Sequence, residues 1–148
     1  MAIIIIGGSG MLYHFSEWMT EASNETVLLC SRNNDKYNPL LQQKNAKFTN
    51  FDYTAACEYE KLMEVIKDEP VTMIVAWIHS PYYDSFNSFI KKPEFKNTKV
   101  YLVQGTTSRT YQFDTDITLI KLGRHESENR WLTHQEISEV VIKAVKNK

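Results

Sequence analysis

The chain has 148 residues, of which 43% are hydrophobic and 24% charged, and a formal net charge of -1. One domain of this size buries roughly 70% of its unfolded surface and needs no disulfide staple. The balanced charge excludes a nucleic-acid binder, since no basic stripe can neutralise phosphates, and no stretch approaches the ~20 apolar residues of a membrane span.

The apolar run Ala2 to Ile6 stops at Gly7. It is too short for a signal-peptide core and no basic segment precedes it, so a cytoplasmic location is expected. Cys30 and Cys57 show no metal or close-pair spacing. They read as free core thiols in a reducing compartment.

Four successive isoleucines, Ile3 to Ile6, predict a central strand buried on both faces. Gly7-Gly8-Ser9-Gly10 follows at once. Met11, Leu12, Phe15, Trp18, Met19 and Ala22 then recur at helical spacing. Thr26 to Cys30 predicts a second buried strand. Asn38-Pro39 predicts a short helix with an Asn cap and Pro in its first position. Phe48 to Phe51 reads as a third strand. Ala55, Ala56, Tyr59, Leu62, Met63 and Ile66 mark a second long helix, ended by Pro70. Val71 to Ile78 is a fourth strand. Ser80-Pro81 caps a third helix with Tyr82, Tyr83, Phe86, Phe89 and Ile90 on its buried face. Lys99 to Gln104 and Ile117 to Leu122 predict the last two strands. Thr133 with Glu136 forms a capping box. It opens a final helix with Ile137, Val140, Val141, Ala144 and Val145 on one face.

Alternating strands and helices with apolar strands predict an α/β fold, a parallel sheet covered on both faces. The expected form is a three-layer, doubly wound sheet of about six strands in the order 3-2-1-4-5-6, as one domain over 1–148. The link from Gly105 to Asp116 has no helical periodicity, whereas parallel crossovers usually carry a helix. The sheet is therefore expected to be mostly parallel, with the direction of the last strand left open between parallel and antiparallel.

A glycine turn between a strand and an amphipathic helix is where a dinucleotide pyrophosphate binds. Glycines admit the phosphates and the helix end offers free N–H groups. Gly7, Gly8, Ser9, Gly10 and Met11 form this candidate site. The third glycine of the usual fingerprint is replaced by Tyr13, which must widen the helix–strand contact or point toward the pocket. A glycine turn that only closes the loop is the alternative. At the end of strand two, Cys30-Ser31-Arg32-Asn33 carries no carboxylate for the ribose of NAD. Ser31 and Arg32 can instead hold a phosphate, which favours NADP over NAD as the cofactor. Arg32 as a solvated loop arginine is the competing reading.

These residues, with Asp52-Tyr53 after strand three, resemble the short-chain dehydrogenase/reductase superfamily, and Met1 to about Gln104 resembles its cofactor half. The stretches Val75 to Ser80 and Arg130 to Ser138 resemble a group of small bacterial members. The resemblance implies that Asp52 binds the adenine amino group with help from the Tyr53 backbone. It also implies that the loop after strand four, with Trp77 and Ile78, lies over the ribose. The superfamily's catalytic pair is Tyr-x-x-x-Lys, whose lysine lowers the tyrosine pKa. None of the eight tyrosines here has a lysine four residues on.

Other residues must then supply the proton. His79 at the end of strand four and Ser108 and Tyr111 after strand five are the catalytic candidates, because strand carboxyl ends face the ligand crevice. A backbone-fixed loop His79 and a Ser80 that only caps a helix are the structural alternatives. His125, Glu126, Glu128 and His134 match no tight metal spacing, so no metal is expected. Two functions follow. One is an NADP-dependent oxidoreductase acting on an unknown small carbonyl compound with an atypical site. The other is a non-catalytic NADP(H) sensor or partner-binding protein. A Rossmann-like domain that has lost cofactor binding is a third. Aromatic helix surfaces and a bare sheet edge suit a homodimer.

Overall fold

The computed structural model describes residues 1–7, 12–32, 37–67, 69–79, 82–105, 111–122, 124–125 and 130–146. Six strands form one parallel sheet: β1 (Ala2–Ile6), β2 (Thr26–Ser31), β3 (Ala46–Asn50), β4 (Val71–Trp77), β5 (Lys99–Gln104) and β6 (Thr118–Lys121). Their order is β3-β2-β1-β4-β5-β6, the doubly wound Rossmann-like arrangement. A small antiparallel pair, β7 (Arg124–His125) and β8 (Arg130–Trp131), follows.

The isoleucine run forms β1 because β-branched side chains fit a strand packed on both faces. Successive side chains point to opposite faces, so the run feeds two cores. Ile3 and Ile5 meet α1 (Tyr13–Ala22) and α4 (His134–Lys146), through Phe15, Met19, Ile137 and Val141. Ile4 and Ile6 meet α2 (Cys57–Ile66) and α3 (Tyr83–Ile90), through Tyr59, Leu62, Phe86 and Phe89. Register is continuous from Ile3 to Ile6, which pairs with Cys30 on one side and Ala76 on the other. Among the described residues no helix is long and apolar enough to cross a membrane.

The structure settles the direction of the last strand and changes several expectations. The last strand is parallel: Leu102 pairs with Leu119 and Val103 with Ile120. At roughly 3.3 Å per residue, a dozen extended residues span about 40 Å, enough to return along a short strand without a helix. Side chains of the link do the packing that a helix face would do. Tyr111, Phe113 and Ile117 lie against the α2–α3 core. Asn87 on α3 accepts the Asp114 N–H at 2.9 Å and donates Nδ2 to Asp114 Oδ2 at 3.0 Å.

Asn38-Pro39 opens no full helix. The chain makes one 3-10 turn, Leu40–Gln42, preceded by Pro39 without a side-chain cap. It is too short a segment to repay helix nucleation. Strand β3 begins at Ala46 and β4 ends at Trp77, so both differ from the predicted bounds. Tyr82 precedes α3 and is exposed, as is Val140 on α4. Cys30 is buried but Cys57 is exposed at the start of α2, so only one thiol belongs to the core. Ser80 and Pro81 lie outside the described residues. The Thr133–Glu136 box is formed in both directions, at 2.9 and 3.1 Å.

Asn45 carried no sequence signal. Its Nδ2 reaches the carbonyl oxygens of Thr20, Ser23 and Glu25 at 3.0, 3.0 and 3.1 Å. It thereby ties the end of α1 to the start of β2. Asn45→Ala leaves these acceptors without the amide and is expected to cost about 1–3 kcal/mol. Urea unfolding measures this; an unchanged midpoint would show that water replaces the amide fully.

Candidate functional site

The chain leaves β1 for β2 and β3 on one side, then crosses back to β4, β5 and β6 on the other. Crevices in such sheets open outside the strand carboxyl ends where this reversal occurs. Gly7, Arg32, Asp52 and Tyr53, and His79 follow such ends, and Ser31 is the last residue of β2.

Gly7 donates its N–H to Cys30 O at 3.1 Å and has φ +79°. A Cβ there would stand 2.8 Å from the Trp77 carbonyl oxygen. The turn therefore requires glycine on two counts, backbone conformation and the close approach of β4. Gly8, Ser9, Gly10 and Met11 lie outside the described residues. Past them, α1 opens at Leu12 with no side-chain cap and no carboxylate in its first turn. Its N–H groups and positive end are thus chemically suited to an anion. Tyr13 is half-buried and stacks on Tyr37, with ring centroids 6.4 Å apart and planes at 15°. Tyr37 in turn meets Phe48 at 6.0 Å. The ring at the third-glycine position is absorbed by this stack.

Ser31 is buried and its carbonyl accepts the Phe51 N–H at 2.9 Å. Arg32 is exposed and Asn33 lies outside the described residues. Asp52 Oδ1 accepts the Thr54 N–H at 2.9 Å and the Thr54 hydroxyl at 2.6 Å. These bonds, with the Arg32 charge, hold its carboxyl below the usual range. It stays an acceptor, as an amino-group ligand needs. Arg32 lies within electrostatic reach of Asp52 and Tyr53. The donor set thus offers a cation, an anion and an open helix end around one edge, which fits a dinucleotide.

Tyr53 bridges strands that are not neighbours. Its ring lies 6.3 Å from His79 and 5.6 Å from Tyr82. Burial pushes its phenol up, against a hydrogen bond from the His79 backbone. Ile78 is buried, Trp77 half-buried and His79 exposed. Ser108 lies outside the described residues.

Tyr111 Oη donates to Asp84 Oδ1 at 2.6 Å. That bond pushes its pKa up to about 12, with burial adding to it. The direction is opposite to the effect of a catalytic lysine. Its ring is held by Phe113 at 4.6 Å and Tyr83 at 5.7 Å. Asp84 and Tyr82 had no sequence signal as site residues, because their partners are remote in the chain.

No protein-family model matches the chain, and no curated protein matches its sequence. Solved structures do. An alcohol dehydrogenase from Thermococcus sibiricus, complexed with 5-hydroxy-NADP, superposes with a TM-score of 0.68 at 12% identity, covering 98% of this chain and 90% of its own. A short-chain dehydrogenase/reductase from Veillonella parvula in complex with NADP gives 0.67 at 8% identity, covering 98% and 87%. An ethylated short-chain dehydrogenase/reductase from the same organism gives 0.55 at 12% identity, covering 71% of this chain. The chain spans 47% of that protein's length and 37% of a yeast methylglyoxal/isovaleraldehyde reductase. At these identities the likeness concerns the fold alone, a doubly wound Rossmann-like sheet.

Proposed function

We propose that the chain is an NADP(H)-binding oxidoreductase of short-chain dehydrogenase/reductase type, acting on a small carbonyl or alcohol compound. The observation that carries this is the glycine-turned strand end at the switch point, with Arg32 and Asp52 flanking it. NADP or NADPH complexes among the structural neighbours support the same cofactor. A bound nicotinamide would supply the redox chemistry. The chain's own residues would bind and orient it. Gly7 to Met11 and the uncapped α1 end take the pyrophosphate, and Ser31, Arg32 and Asn33 take the adenosine phosphate. Asp52 and Tyr53 take adenine, and Trp77 and Ile78 border the ribose. His79, Ser108 and Tyr111 are the groups proposed to face the reacting oxygen.

Titration with NADPH, NADH and FAD, read as thermal stability, tests this directly. A ligand at ~100 times its Kd adds about 2.7 kcal/mol to the folded state. No response to any dinucleotide would overturn the proposal. Arg32→Ala is expected to lose about 1.5–3 kcal/mol of NADPH affinity, the worth of a charged hydrogen bond, and little of NADH affinity. Equal losses for both would remove Arg32 from the phosphate.

The second reading is a non-catalytic NADP(H) sensor. It is favoured by the Tyr111 proton being directed to Asp84 and by the lack of a Tyr-x-x-x-Lys pair. Binding without turnover across carbonyl and alcohol panels would select it.

A further inference from the structure

Two phenols, Tyr83 at the start of α3 and Tyr111 in the β5–β6 link, play opposite hydrogen-bonding roles. Tyr83 Oη accepts from Gln104 Nε2 at 3.1 Å and is buried. Tyr111 is only half-buried, and its hydroxyl donates to Asp84 Oδ1 at 2.6 Å. Asp84 sits in the first turn of α3. The Tyr111 ring cannot swing freely, because Phe113 and Tyr83 hold it. The Asn87 amide, close enough to act on the same phenol, donates to Asp114 Oδ2 at 3.0 Å. Asp114 also draws Lys91 Nζ to 3.5 Å. An amide nitrogen has two hydrogens, so the Asn87 contact fills one lone pair of the phenol at most and leaves the other for a ligand.

A hydroxyl has one proton and two lone pairs. Once its proton is committed to a carboxylate, it meets any ligand as an acceptor. We propose that Asp84 is a positioning residue that sets ligand class, holding Tyr111 as a hydrogen-bond acceptor so that the site takes an alcohol hydroxyl in preference to a carbonyl oxygen. This rests on the placement of Tyr111 in the site proposed above. A carbonyl oxygen would confront the phenol's lone pairs with its own and gain nothing. An alcohol donates to them. The bond runs alcohol O–H to Tyr111 Oη, and Tyr111 O–H to Asp84, in one direction.

The test compares cyclohexanol with cyclohexanone, near-isosteric probes, by thermal shift on the whole chain, with and without NADP. Wild type is expected to bind the alcohol about tenfold more tightly. Asp84→Ala frees the Tyr111 proton, and the preference is expected to vanish or reverse. Asp84→Glu is expected to restore part of it, which a purely structural role would not require. Tyr111→Phe should bind the two probes alike. Ultraviolet difference titration supplies a readout independent of ligand: one phenol should ionise at lower pH in Asp84→Ala than in wild type. Equal binding of both probes by wild type, binding of neither, or a preference unchanged in Asp84→Ala overturns the proposal. Because the probes are also measured without cofactor, a missing response to NADPH defeats the cofactor reading separately.

Discussion

Gly7→Ala is expected to destabilise the fold by about 2–5 kcal/mol. Placing an L-residue in left-handed backbone costs about 1–2 kcal/mol. The new methyl would also stand 2.8 Å from the Trp77 carbonyl oxygen, which belongs to the central strand β4. Neither side can yield cheaply, since β1 and β4 are paired from Ile3 through Ile6. Forcing such a contact costs about 1–3 kcal/mol more. Urea unfolding would register the loss as a lower midpoint at constant slope. On the cofactor reading, NADPH response disappears with it, since the turn that admits the pyrophosphate is displaced. A variant of full stability would mean that β4 moves aside at no cost, and the tight-turn account would fall.

Phe86→Ala is expected to cost about 3–5 kcal/mol, the usual range for a phenylalanine truncated in a core. Phe86 is fully buried on α3 and meets Phe113 of the β5–β6 link at 6.3 Å. Its loss opens a cavity under α3 and loosens the packing that substitutes for a crossover helix. The expected fall in melting temperature is on the order of 10 °C, at about 2–4 °C per kcal/mol for a chain of this size. Val65→Ala on the outer face of α2, with Val65 55% exposed, should stay within about 0.5 kcal/mol. Similar losses for the two variants would contradict the assignment of the α3 core.

Much of the fold was legible because it rests on local periodicity. The isoleucine run, the spacing of Phe15 and Met19, and the buried series Val100 to Val103 each state a strand or helix by themselves. Regular alternation then implies the sheet order, since right-handed crossovers leave few alternatives. The direction of β6 was not legible. Parallel return depends on Phe113 finding Phe86 and on Asp114 finding Asn87, contacts between distant segments. Asn38-Pro39 misled for the converse reason. Cap chemistry signals a start but not the length a helix needs.

The candidate site divides in the same way. The sequence by itself determined the chemistry available at the strand ends: a glycine turn, Arg32, Asp52, His79 and Tyr111. Those types appear at positions that a doubly wound sheet must gather at one edge. Only the tertiary structure decided what each group does there. It set Gly7 against Trp77, spent Asp52 Oδ1 on Thr54, folded Tyr13 into a stack with Tyr37 and bound the Tyr111 proton to Asp84. The physical reason is that a residue's type limits its donors and acceptors, whereas its partner, supplied by a remote segment, decides which of them remain for a ligand.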